Sequence, residues 1–333
     1  MKRKLRLLFP VMIASLALSG CNFITIEDAD KGGEAEVIVD PVIIDKYYND
    51  YDLEKTGGRL IQELQKMCFD KHTKWITYGQ VNSYYSKTSS HNSAEGIADG
   101  SSVNQWFYTG KEASGVGTRE HVWPCANSGA LWVHDNPGSG NFSPHYVDNS
   151  YYTGGGSDLY HVRTANSAVN TARGNSKFCD FDDPEYASYG SGIVEVGENK
   201  GKWNLKLYGA AQTATGAYQY ADRCEPDDNM KGDVARIILY VWTHYSERGI
   251  TPEGSVTTKA GNTFTYADMV GSLSLTQIMG YDNEDRCKEK LIEWNNLDKP
   301  SNVEKLRNDT VQKIQGNRNP FVDYPELVER MFS

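Results

Sequence analysis

Three short runs of this 333-residue chain hold the residue types that do chemistry on charged esters. They are Arg119-Glu120-His121-Val122-Trp123-Pro124, then Asp158-Leu159-Tyr160-His161-Val162-Arg163, then Asn170-Thr171-Ala172-Arg173-Gly174-Asn175. Together they supply an acid, a base, an amide and several guanidinium groups. A carboxylate next to an imidazole sets a hard oxygen ligand for a divalent cation beside a base that titrates near neutral pH. Such a pair suits the hydrolysis of a phosphodiester.

The order and spacing resemble the endonuclease I family of His-Me finger (ββα-metal) nucleases. These carry Arg-Glu-His-Val-x-Pro, then Asp-Leu-His-[His/Asn]-Leu-[Arg/Thr]-Pro, then Val-Asn-x-x-Arg-x-Asn. Counted from Asp158, Asn170, Arg173 and Asn175 fall in that register. Gly232-Asp233-Val234-Ala235-Arg236 and Gln315-Gly316-Asn317-Arg318-Asn319-Pro320-Phe321-Val322-Asp323 match as well, so the resemblance runs from about Tyr47 to the C-terminus. Tyr160 stands where the family usually has His, and Thr164 where it usually has Pro.

The resemblance implies an α+β fold: a single domain with a ββα-metal core surrounded by helices and long loops. It implies a metal-dependent, largely sequence-nonspecific endonuclease that acts on DNA, with RNA as the alternative, and leaves 5′-phosphate products. By the same resemblance His121 is the general base, Glu120 and Asn170 hold Mg²⁺ (Mn²⁺ or Ca²⁺ as substitutes), and Arg163 and Arg173 offset charge in the transition state. Some family members draw an arginine from the loop that follows the histidine. Residues 126–156 contain no Lys or Arg, so Arg163 is expected to take that task. His161 is expected in a strand beside the site, either as a participant or as a group that orients its neighbours. Arg236 and Arg318 are expected in buried pairs with acids such as Asp233 and Asp323.

The chain opens with Lys2, Arg3, Lys4 and Arg6, an apolar run too short to cross a bilayer, and Leu18-Ser19-Gly20-Cys21. This pattern predicts a lipoprotein signal peptide over 1–20, with Cys21 as the lipidated first residue. Asn22 after it leans towards the outer membrane, so the expectation is an exported, lipid-anchored chain. Residues 21–45, acidic and without a sustained period, read as the lipidated Cys and a tether, and 46–333 as the catalytic domain. That is long enough for one large core.

Loss of the signal takes the formal charge from −10 to −14, an awkward balance for a protein that meets phosphates. Local charge must compensate. The stretch 159–179 holds Arg163, Arg173 and Lys177 and no acid. Beyond Cys21 five cysteines remain, Cys68, Cys125, Cys179, Cys224 and Cys287. At most two disulfides are possible, in a pairing the sequence leaves open.

The positioning elements follow from periodicity. Leu60, Ile61, Leu64, Met67 and Cys68 predict an amphipathic helix, and Trp106-Phe107-Tyr108 a short strand. Residues 75–85 are ambiguous, and 86–102 read as a long surface loop. Asn166 is a helix N-cap, Ser167–Arg173 the helix and Gly174 its stop, which puts Asn170 and Arg173 on one face. Strands are expected around 192–196 and 203–208. Val234, Ile237, Ile238, Val241, Trp242 and Tyr245 give the strongest core helix, with further helices at 291–295 and 303–314. Two readings of another class remain: an inactive lipid-anchored nucleic-acid binder, and a carbohydrate-binding surface protein suggested by 21 Tyr and 7 Trp. A monomer is expected.

Overall fold

We describe the chain from a computed structural model. It covers residues 41–88, 104–109, 117–127, 154–196, 205–209, 221–249, 253–257 and 263–333, with short paired pieces at 24–25, 37–38, 112–113, 211–212 and 218–219. The predicted signal and Cys21 lie outside the described residues, as do most of 86–102 and 128–153. Helix α1 (Pro41–Tyr48) begins inside the stretch read as a tether.

The centre is a helix. Helix α5 (Asp228–Tyr245) buries nearly every residue from Met230 to Tyr245, because Ala235, Leu239 and Tyr240 extend the apolar stripe around its whole girth. Against it pack α2 (Gly57–Lys71) and α6 (Glu284–Leu297), each through an apolar face. Gly232 makes the α6 contact possible: a Cβ there would lie 1.9 Å from the Asp298 carbonyl oxygen. The ambiguous residues 75–85 form a 3-10 turn, Tyr78–Gln80, leading into α3 (Val81–Thr88).

The fold is mixed α and β, and its sheets are small. Strands β1 (Thr118–His121) and β2 (Val162–Ala165) form an antiparallel hairpin in the register Glu120 to Arg163 and His121 to Val162. After β2 the chain enters α4 (Ser167–Arg173), whose N-cap Asn166 accepts from the amides of Ala168 and Val169. This helix stops at Gly174 with φ of 52°. A four-stranded sheet in the order β3 (Lys177–Phe178), β6 (Arg223–Pro226), β5 (Leu205–Tyr208), β4 (Ile193–Val196) covers the far side of α4. The expected strand at 106–108 is shorter than predicted: only Phe107 bridges to Ala165, and Tyr108 turns the chain with φ of 72°.

The C-terminal run acts as a clamp. Gln315, at the end of α7 (Asn302–Gln315), accepts from the Leu159 amide and donates to the Asp158 carboxylate. The Asn317 carbonyl takes the Tyr160 hydroxyl at 2.9 Å. Tyr160 therefore points into the clamp and away from the hairpin. Arg318 forms a bidentate pair with Asp323 at 2.6 and 2.7 Å and reaches Asp309 as well. Arg236 prefers Glu304, at 2.6 Å, over Asp233, at 4.0 Å. A planar guanidinium fits a carboxylate edge with two bonds, which holds these buried charges in one geometry.

Candidate active site

Strand β1 ends in Glu120 and His121, and alternation along the strand sends their side chains to opposite faces. Glu120 goes inward and is 1% exposed. Its Oε1 accepts from the Tyr108 hydroxyl at 2.8 Å and lies 3.3 Å from the Arg173 guanidinium. Burial pushes the Glu120 carboxyl above its ordinary pKa, against the pull of Arg173 and of the Tyr108 hydroxyl.

His121 is half-buried and stacks on Tyr78, whose other neighbour is Arg119, with the guanidinium 3.8 Å from the ring centre. The Nε2 of His121 lies 2.8 Å from the Gly156 carbonyl oxygen. A carbonyl only accepts, so Nε2 carries the proton and Nδ1 is the basic nitrogen. Burial, and next the imidazole of His161, push the His121 pKa down to about 3, so the ring is neutral at any ordinary pH.

His161 is fully buried and orients this arrangement. Its Nδ1 donates to the Gly155 carbonyl at 2.7 Å, and its Nε2 accepts from the Trp123 amide at 3.0 Å. One ring thus ties the residue before Gly156 to the backbone two residues past His121.

Asn170 sits on α4 facing β1. Its amide nitrogen donates to the Thr118 hydroxyl at 3.0 Å and the Arg119 carbonyl at 3.3 Å, which fixes the amide with Oδ1 turned away from both. Arg173, one turn on, is buried among acceptors: the His121 carbonyl at 3.1 Å, the Val122 carbonyl at 2.6 Å and Glu120. It also lies 4.7 Å from the centre of the Phe178 ring. Arg163 leans over Phe107, its guanidinium 4.4 Å from the ring centre, and lines a small cavity with Tyr160, Ile237, Glu304 and Arg307. Glu120, His121, Asn170 and Arg173 are therefore brought together, whereas Arg163 faces α5 and α7. Among the described residues the half-exposed guanidinium beside His121 is that of Arg119.

Sequence reasoning did not find Tyr108, Tyr78 or Gly156. Tyr108 meets Glu120 only because Phe107 pairs with β2, a contact without a sequence mark. Gly156 had a signal in the run Gly154-Gly155-Gly156, where backbone can come close to a side chain.

Two clusters among the described residues have donors close enough for a metal ion: His72, Asp158 and His244, and Asp180, Asp182 and Glu225. Neither contains Glu120 or Asn170. The donor chemistry of that pair still fits a hard dication: a buried carboxylate whose burial disfavours its own charge, and an amide oxygen locked in place. The nearby Arg173 offsets part of the negative charge. All five cysteines past Cys21 are free thiols.

An antiparallel hairpin ending in a histidine, followed by a helix that lays an asparagine against the first strand, is the architecture of the ββα finger proteins. The chain belongs to the endonuclease I family, whose model matches residues 56–326. It is similar to the extracellular ribonuclease of Bacillus amyloliquefaciens, at 29% identity over 235 residues, 70% of this chain and 56% of that protein. It is also similar to the extracellular ribonuclease of Bacillus subtilis (strain 168), at 32% identity over 180 residues, 54% of this chain and 48% of that protein. The chain spans about half the length of these curated relatives.

Proposed function

We propose that the chain is an exported, metal-dependent endonuclease that hydrolyses phosphodiester bonds in DNA and RNA with little regard to sequence. The observation that carries this reading is geometric: His121, its Nε2 on the Gly156 carbonyl and its Nδ1 left as the basic nitrogen, stands one residue from the buried Glu120, and Asn170 of α4 is bonded to the backbone of the same strand. The two relatives named extracellular ribonuclease support RNA as a substrate beside DNA.

Nδ1 of His121 takes a proton from a water as its oxygen attacks phosphorus in line. The new P–O bond forms while the bond to the 3′ oxygen breaks, which leaves a 3′ hydroxyl and a 5′ phosphate. Glu120 and Asn170 would hold a divalent cation, Mg²⁺ by preference, which would supply Lewis acidity to the phosphodiester. Tyr108 and Arg173 hold Glu120 in place. Gly156 and His161 hold the imidazole. Arg119 is the cation that meets the phosphate first, and Arg163 and Arg173 act behind it on the local field. Exposed groups for base readout are not needed in this scheme, since contacts to the backbone dominate affinity.

The purified chain is expected to degrade plasmid DNA and a structured RNA with Mg²⁺ and to stop on chelation. Asn170→Ala is expected to need more Mg²⁺ for the same rate. A folded chain that cuts neither nucleic acid with Mg²⁺, Mn²⁺ or Ca²⁺ refutes the proposal in favour of a binding protein. An anchor at Cys21 is part of the same reading, and detergent partitioning lost in Cys21→Ser tests it.

A further inference from the structure

We propose that His72, Asp158 and His244 form a second, structural metal site, buried behind the finger and suited to a zinc-class dication. The residues come from three separate elements: His72 caps the C-terminus of α2, His244 lies in the last turn of α5, and Asp158 opens the turn that leads into β2. One nitrogen of each ring and one carboxylate oxygen lie within 4.8 Å of one another. The Nδ1 of His244 is 3.8 Å from Oδ2 of Asp158. All three residues are buried, at 3%, 1% and 0% exposure.

Two observations favour a cation. The first is unspent donor capacity: neither ring nitrogen of His72 closes a hydrogen bond of normal geometry, and neither does Nε2 of His244. Buried imidazole nitrogens are paired in most proteins, and a cluster of three such atoms calls for a ligand. The second is charge. Asp158 is a buried carboxylate with no Lys or Arg ion pair among the described residues; its neighbours are the Tyr240 and Tyr245 hydroxyls, both at 2.7 Å, the Tyr160 amide and the Gln315 side chain. A buried charge is ordinarily paired or bound to a metal.

The other acidic cluster shows the contrast. Around Asp180, Asp182 and Glu225 the charge is met by Lys231 and Lys290, with Lys231 Nζ 2.8 Å from Glu225 and Lys290 3.5 Å from Asp180. No cation is called for there.

Two imidazoles and one carboxylate match the donor preference of zinc and differ from the all-oxygen set that magnesium takes. A tetrahedral ion holds its donors roughly 3.3 Å apart, so the donor atoms, all within 4.8 Å of one another, would draw in slightly on binding. The Tyr240 hydroxyl, 3.0 Å from Nδ1 of His244, is placed to orient that ring from the outer shell. Cys68, one helical turn before His72 on α2, is buried as well but is not among the mutually close donor atoms, so a water would complete the coordination. Such an ion would pin the ends of α2 and α5 to the turn that carries His161.

The test is the metal content of the full chain, purified without chelators from zinc-supplemented cells. Mass spectrometry is expected to find about one zinc per chain, as for a buried structural site. The zinc should persist in Asn170→Ala and fall to trace in His72→Ala. Stripped chain is expected to regain a Tm higher by roughly 5–10 °C with excess Zn²⁺ and to ignore Mg²⁺. Co²⁺ in place of Zn²⁺ should give the intense visible bands of a four-coordinate site, a readout on wild type that stands even if His72→Ala does not fold. Wild type with only trace metal and no Tm response to Zn²⁺ overturns the proposal, as does zinc retained in folded His72→Ala. None of these readings depends on nuclease activity.

Discussion

The imidazole of His121 is held by the carbonyl of Gly156, Nε2 to oxygen 2.8 Å, across 35 residues of chain. That bond assigns the proton to Nε2 and the basicity to Nδ1 without any help from substrate. It also makes the base depend on a glycine loop, and the loop in turn depends on His161.

His161→Phe therefore should weaken catalysis without removing any group that touches substrate. A loss of roughly 10–100-fold in kcat is expected, with KM close to wild type, because orienting partners have that worth. His161→Gln, which can still offer a donor and an acceptor, should recover part of the rate. Equal loss in the two variants would count against an orienting role.

The pair of Glu120 and Arg173 leads to a stability prediction. Their side chains are 2% and 1% exposed, and removal of one partner leaves a buried charge. Arg173→Met is expected to cost about 3–5 kcal/mol, read as a shift in the denaturant midpoint. The double variant Glu120→Gln with Arg173→Met should be more stable than Arg173→Met alone. A single variant within 1 kcal/mol of wild type, on the order of an exposed pair, would show that the two charges are not coupled.

Acid should unfold the protein early. Burial pushes the pKa of His72 and of His161 down to about 4, and holds that of His244 well below its ordinary value. Between those values and the ordinary 6.5 the unfolded chain binds protons that the folded chain does not. Stability is thus full above pH 6.5 and falls as pH drops towards 4, by up to about 1.4 kcal/mol per pH unit for each ring. A metal ion on His72 and His244 acts in the same direction, since protons compete for its ligands. Urea midpoints that stay flat from pH 7 to 5 would contradict the buried neutral rings.

The site was legible to the extent that its residues are close in sequence. Glu120 with His121, and the capped helix from Asn166 to Gly174, follow from local pattern, and the structure has the helix at Ser167–Arg173. The apolar stripe of α5 was legible too, though its full burial was not, since Gly232 and Tyr240 carry no periodic signal. What could not be read were contacts set by tertiary pairing: Tyr108 on Glu120, Gly156 on His121, and the clamp from Gln315 and Asn317 onto Asp158 and Tyr160. Those are polar contacts between segments 12 to 157 residues apart, and no short-range spacing encodes them. The same limit applies to the acid-free stretch 159–179. Its charges are expected to make the field near the site positive, and the sequence does not show that Arg173 is buried or that Lys177 donates to the Thr276 carbonyl.

The central claim is that His121 is the base of a metal-dependent nuclease, and His121→Ala tests it most directly. Plasmid cleavage with Mg²⁺ should be followed for wild type and variant, with circular dichroism and DNA binding measured on the same samples. The account predicts a rate lower by a factor of roughly 10²–10⁴, with fold and binding retained. A folded His121→Ala that cuts at the wild-type rate would contradict it.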